Sequence, residues 1–171
     1  MDRAERTGDY QTALVSLLRE RAMKISTAES LTGGLIGAHI VDVSGASAVF
    51  EGGAVCYTEQ SKMSVLGVRR ESLDKYTAVS EQVAREMAIG SCARFGTDIA
   101  ISATGIAGPG DEGPNFPAGL VYIGICYNNK TTVYKYNFIG SRAQVREQAT
   151  QAGLERAIES ILNSEVKGNG N

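Results

Sequence analysis

The octet Thr27-Ala28-Glu29-Ser30-Leu31-Thr32-Gly33-Gly34 places a serine between two apolar segments of different period, with two glycines behind it. Lys24-Ile25-Ser26-Thr27-Ala28 reads as a strand, and Leu35-Ile36-Gly37-Ala38-His39-Ile40-Val41 carries apolar residues at helical spacing. Ser30 therefore falls at a strand-to-helix turn. The free N–H groups and positive dipole end of a helix at such a turn can hold an oxyanion or a phosphate. Ser30 or Thr32 can equally be a helix N-cap, and on the octet alone the cap is the simpler reading.

Helical and extended patterns alternate along the rest of the chain. Tyr10 to Met23 predicts an amphipathic helix with Leu14, Leu17 and Leu18 on one face. Val49 to Tyr57 is extended, with Gly52-Gly53 marking a bulge or a close backbone approach. Short helices are expected over Lys62 to Leu66 and Glu71 to Tyr76. A longer one, from Ser80 to Phe95, turns Val83, Met87 and Ala88 inward. Strands are predicted at Asp98 to Ala103, Gly119 to Tyr127 and Thr131 to Phe138, the last two joined as a hairpin through Asn128-Asn129-Lys130. A final helix from Arg142 to Leu162 packs through Val145, Ala149, Ala152, Leu154, Ala157, Ile158 and Ile161, and residues from about 165 to 171 are expected to fray. The expected fold is α/β, a mixed sheet with helices on both faces, in one domain over residues 1–171.

Composition narrows the function classes. Seventeen basic and nineteen acidic residues leave a net charge of -2 without a basic stripe, which argues against nucleic acid. No apolar run approaches the roughly 20 residues of a membrane span, and Met1 to Arg6 lacks a signal peptide's apolar region, so a cytoplasmic location is expected. Cys56, Cys92 and Cys126 are odd in number and set in apolar surroundings, as reduced core thiols are; no metal site is expected from them.

A second glycine-rich run, Ala103-Thr104-Gly105-Ile106-Ala107-Gly108-Pro109-Gly110, follows a buried strand, where ligands gather in open α/β sheets. It is neither a Walker loop nor a dinucleotide fingerprint, and ligand binding and a plain surface turn both fit its spacing. If Ser30 is a nucleophile it needs a base. His39, the one histidine, lies about 10 Å along the helix from Thr32 and reads as a half-buried structural residue. Lysine can replace histidine when burial lowers its pKa, and Lys62, just past the strand ending at Cys56-Tyr57, is the candidate. Tyr57 could relay a proton or orient the amine. By itself Lys62 reads more simply as a solvated helix lysine. The literal Ser-x-x-Lys matches at Ser72 to Lys75 and Ser164 to Lys167 lie at a helix cap and in the tail.

Taken together, Thr27-Ala28-Glu29-Ser30-x-Thr32-Gly33-Gly34, Gly52-Gly53-x-Val55-x-Tyr57, Lys62-x3-Leu66-Gly67-Val68, Ala78-Val79-Ser80, Thr104 to Gly110, Pro117-x-Gly119-x-Val121 and Phe138-x-Gly140-x-Arg142-x3-Arg146 resemble the CinA C-terminal domain family over nearly the full chain. Active members of that family are nicotinamide mononucleotide amidohydrolases. The resemblance implies a three-layer α/β/α sandwich that commonly dimerises. It implies conversion of nicotinamide mononucleotide and water to nicotinate mononucleotide and ammonia, without metal or cofactor. It further implies the standalone form, without the large domain that often precedes this one.

Position by position, Ser30 is similar to the family's nucleophile, Lys62 to its general base and Tyr57 to the tyrosine lining its site. Thr32, Gly33 and Gly34 would supply oxyanion N–H groups. Thr104, Gly105 and Gly108 would contact the nicotinamide or ribose, and Arg142 would pair with the 5′-phosphate. Arg146 would assist Arg142 or salt-bridge Glu147 or Glu81, and Glu29 would orient Lys62 or the loop, or equally play a structural hydrogen-bonding role. Two positions depart from the pattern: Leu31, where the family has cysteine, and Phe116, where a lysine is common. Asp111 and Glu112 add negative charge to the same loop. The alternatives are a non-catalytic nucleotide-binding paralogue and a serine amidase for another small carboxamide.

Overall fold

The computed structural model describes residues 9–168, with side chains as far as 164. Its sheet has five strands: β1 (Ile25–Glu29), β2 (Phe50–Val55), β3 (Ile99–Gly105), β4 (Leu120–Tyr127) and β5 (Lys130–Asn137). They lie in the order β2-β1-β3-β4-β5. β1 pairs in parallel with both β2 and β3, while β3-β4 and β4-β5 are antiparallel. The sheet is mixed because β4 and β5 are joined tightly. Tyr127 pairs with Lys130, leaving Asn128 and Asn129 at φ 52° and 58° as the two-residue turn that asparagine tolerates.

Helices cover both faces. α1 (Tyr10–Glu20), α2 (Leu35–Val41) and α6 (Arg142–Gly168) pack on one side. There Leu14, Leu18, Ile36, Ile40, Leu154 and Ile161 join Ile99, Ile101, Ile123 and Ile125 of the sheet. α3 (Glu59–Leu66), α4 (Arg70–Tyr76) and α5 (Glu81–Phe95) lie on the other, over a cluster of Ala28, Cys56, Leu66, Leu73, Val83 and Met87. This is the expected three-layer α/β/α arrangement. Every inward position predicted for α6 is buried. The helix runs on to Gly168, past the predicted end at Leu162, and residues 169–171 of the expected frayed end lie outside the described residues. Among the described residues, no helix is long and apolar enough to cross a membrane.

Local chemistry sets the connections that matter for the site. Gly52-Gly53 makes both expected features: Ile25 pairs with Phe50 and Ser26 with Gly52, so Glu51 is bulged out, and a Cβ on Gly53 would stand 2.2 Å from Thr27 Oγ1. α3 begins at Glu59, earlier than predicted, because the Thr58 hydroxyl accepts from Ser61 N at 3.1 Å and the Ser61 hydroxyl accepts from Thr58 N at 3.1 Å. That reciprocal cap uses serine where glutamate or glutamine is usual. α3 then lies against α5 at Gly90, where an added Cβ would meet Leu66 O at 1.9 Å. Beyond it, Arg69 and Ser72 donate to the Glu86 carboxylate and tie α4 to α5, while Gln82 adds a donor from α5 itself.

Candidate active site

Ser30 follows directly on the C-terminal end of β1, and its N–H donates to Ala103 O of β3 at 2.9 Å. From the opposite layer the second turn of α3 sends in Lys62, which is 1% exposed. Lys62 Nζ lies 2.9 Å from Ser30 Oγ and 2.9 Å from the carbonyl of Cys56. An amine this far from water loses hydration when protonated. Burial accordingly lowers the Lys62 pKa below its ordinary 10.5, with Cys56 and Glu59 acting the other way. The same burial pushes the Cys56 thiol up. For the neutral amine, the serine hydroxyl donates to nitrogen while an amine hydrogen donates to the Cys56 carbonyl. The lone pair is thereby aimed at the hydroxyl proton. This is the geometry of a nucleophile and its base.

The pair opens into a cavity of about 260 Å³. Ser30, Leu31, Tyr57 and Lys62 form one wall, Ala78 and Val79 another, and the loop from Thr104 to Glu112 the third, with Arg142 at the edge. Thr104, Gly105 and Gly108 thus stand where the glycine-rich run placed them. Thr104 Oγ1 donates to Ala78 O at 2.8 Å, which fastens the loop to the segment before α5. Arg142 donates to Gly108 O at 2.8 Å and to the Tyr57 hydroxyl at 3.2 Å. Tyr57 is bound to Arg142 and not to Lys62, so it sits as a rim residue, 61% exposed, and does not orient the amine.

Three expected residues are not brought to the cavity. Thr32, Gly33 and Gly34 lie behind the turn, and none lines the pocket. The Gly34 N–H, with those of Ile36 and Gly37, donates to the Glu29 carboxylate at 2.9 to 3.0 Å, and the Gly33 N–H donates to Ser30 O at 3.1 Å. The N-terminus of α2 is already occupied by an internal anion, so it has no donors left for a substrate. Of the two roles open to Glu29, orienting Lys62 or the loop and structural hydrogen bonding, the structure shows the second: it is this cap, 1% exposed. Only its position one residue before the turn signalled the role, and a strand residue reaching forward to cap the next helix has no fixed spacing. Arg146 pairs with neither Glu147 nor Glu81; it donates to the carbonyls of Leu31 at 2.9 Å and Thr32 at 3.0 Å. His39 is remote from Ser30 and lies 3.3 Å from Glu147. Leu31 is buried and belongs both to the core and to the cavity wall. Phe116 closes its loop through backbone bonds with Glu112 and Gly113.

Comparison with known proteins matches residues 8–161 to the CinA C-terminal domain. A CinA-like protein of Kosmotoga olearia is 42% identical over 167 residues, covering 92% of this chain and 40% of that protein. The chain thus spans about two fifths of that relative's length. Among solved structures, the competence/damage inducible protein CihA from Agrobacterium tumefaciens superposes with a TM-score of 0.86 at 34% identity, covering 89% of this chain and 95% of that one. A competence-damaged protein (CinA) superfamily protein from Escherichia coli gives a TM-score of 0.87 at 30% identity, covering 92% and 93% of the two chains.

Proposed function

The chain belongs to the CinA C-terminal domain family, and from that premise we propose that it is an amidohydrolase converting nicotinamide mononucleotide and water to nicotinate mononucleotide and ammonia. The observation that carries this reading is the 2.9 Å contact between Lys62 Nζ and Ser30 Oγ in a buried site. In the proposed reaction the neutral amine of Lys62 takes the hydroxyl proton as Ser30 Oγ attacks the carboxamide carbon. The resulting ammonium returns that proton to nitrogen as the C–N bond breaks, releasing ammonia and leaving a Ser30 ester. Water, deprotonated by the same amine, cleaves the ester and restores the hydroxyl. No cofactor or metal enters the scheme. The pyridinium charge makes the carboxamide carbon more electrophilic, and Tyr57 offers an exposed ring at the rim against which the pyridine can lie. Arg142, bound at the same rim, presents its remaining N–H groups to the 5′-phosphate. The reading includes a cytoplasmic homodimer.

Ammonia release from nicotinamide mononucleotide by the purified protein tests it, beside Ser30→Ala and Lys62→Met. Turnover by the parent with a loss of at least about a thousandfold in each variant is expected. Nucleotide binding without ammonia release would replace the hydrolase reading with that of a binding paralogue.

A further inference from the structure

The N–H groups of Gly33 and Gly34 are committed and Thr32 does not line the cavity, so the oxyanion donor must come from elsewhere, and one line of hydrogen bonds runs through the turn to the cavity wall. Arg146 Nη2 donates to Thr32 O at 3.0 Å. The N–H of that same peptide unit belongs to Gly33 and donates to Ser30 O at 3.1 Å. The N–H of the next unit belongs to Leu31, a cavity-wall residue beside the nucleophile, and has no acceptor among the described residues. A second guanidinium donor, Nε, holds the Leu31 carbonyl at 2.9 Å, so the turn is gripped at two successive peptide units. Among the described residues no carboxylate pairs with Arg146. Gly33, at φ +60°, also keeps the approach open, since a Cβ there would stand 3.2 Å from Arg146 Nη2.

We propose that Arg146 is a positioning residue that fixes and polarises the Leu31 N–H as the oxyanion donor to the tetrahedral intermediate on Ser30. The proposal rests on Ser30 being the nucleophile. Hydrogen bonds in series polarise one another, so a cation at one end draws electron density through two peptide units and leaves the terminal N–H a stronger donor. The N–H following a nucleophilic serine at a strand-to-helix turn is well placed to meet the oxygen that becomes negative. That charge exists only after attack, so the effect belongs to the chemical step and not to binding.

The test compares Arg146→Gln and Arg146→Lys with the parent, using turnover of nicotinamide mononucleotide and the affinity of pyridine-3-boronic acid, whose tetrahedral adduct with Ser30 carries an oxygen at the same place. Outright loss of an oxyanion donor costs roughly a hundredfold to a thousandfold. Loss of its support should cost about tenfold to a hundredfold in kcat for Arg146→Gln, with KM within about threefold and an unmoved pH–rate limb. Boronate affinity should fall by the same factor. Arg146→Lys, which keeps the charge but cannot span both carbonyls, should lose at least about threefold and carries the comparison if the glutamine variant does not fold. Partial rescue of Arg146→Gln by added guanidinium ion would support the assignment. Unchanged kcat or unchanged boronate affinity would overturn it. If the parent releases no ammonia from nicotinamide mononucleotide, the substrate reading fails while the boronate comparison still decides the role of Arg146. A parent that neither releases ammonia nor forms the boronate adduct overturns both.

Discussion

Replacing Glu29 by glutamine should weaken the fold far more than an isosteric change at an exposed site. The carboxylate accepts three backbone N–H groups, Gly34 and Ile36 on Oε2 and Gly37 on Oε1, and is 1% exposed. Glutamine has one carbonyl oxygen. Its best orientation keeps that oxygen on Gly34 and Ile36 and turns its NH₂ against the Gly37 N–H, leaving a buried donor unpaired at a cost of about 1 to 3 kcal/mol. The charge at the helix N-terminus is also lost, a further 1 to 2 kcal/mol or about that. The sum is about 2 to 5 kcal/mol, which for a chain of this size lowers Tm by roughly 4 to 20 °C. α2 has only seven residues and cannot sustain itself without that cap. Urea denaturation followed by circular dichroism measures the effect. Glu51→Gln, at a half-exposed partner of Lys24, serves as the control and should stay within about 0.5 kcal/mol. A loss for Glu29→Gln no larger than the control's would refute the reasoning, because the carboxylate would then not be what terminates the helix.

The lowered pKa of Lys62 has two readouts. The pH–rate profile should rise along a limb below the ordinary lysine value of 10.5, and a profile flat from acid to alkaline pH would remove Lys62 as base. Between its folded-state value and 10.5 the folded chain holds fewer protons than the unfolded one, so this group's contribution to stability increases as pH rises through that window. Urea midpoints of parent and Lys62→Met should therefore draw apart in the parent's favour across that range, and a pH-independent difference would contradict it. Arg142→Ala should raise KM with little change in kcat, and equal cleavage of nicotinamide riboside by the parent would sink the phosphate role. Gly90→Ala drives a Cβ into Leu66 O and should cost about 1 to 3 kcal/mol in urea melts while lowering kcat through displaced Lys62; a neutral result would mean that α3 does not need the groove.

The strands are readable because buried β segments are short apolar runs bounded by turn residues, and the Asn128-Asn129-Lys130 hairpin was explicit, with Lys130 already paired in β5. The inward face of α6 followed from its period. Ser30 and Lys62 could each be nominated from element ends. Their contact is a matter of layers crossing the sheet edge, which no local pattern encodes, and the family resemblance supplied it. The reciprocal cap at Thr58 and Ser61 was present in the chain but used an atypical partner, so α3 was expected to start late. The cap made by Glu29 and the carbonyl grip of Arg146 could not be specified from the sequence for one reason: a charged side chain that binds backbone groups leaves no partner residue in the sequence to point to it. The expected oxyanion donors are Thr32, Gly33 and Gly34; the N–H groups of Gly33 and Gly34 are already committed, and Thr32 does not line the cavity.

Ser30 is supported from the α2 and α6 layer, and Lys62 arrives from the α3 layer through contacts on α5. A nascent or partly unravelled chain that has assembled only one of these layers holds a serine without an acceptor for its proton. If Ser30 is the proposed nucleophile, its reactivity is thus deferred until both halves have closed on the sheet, because the amine that takes its proton is absent before then.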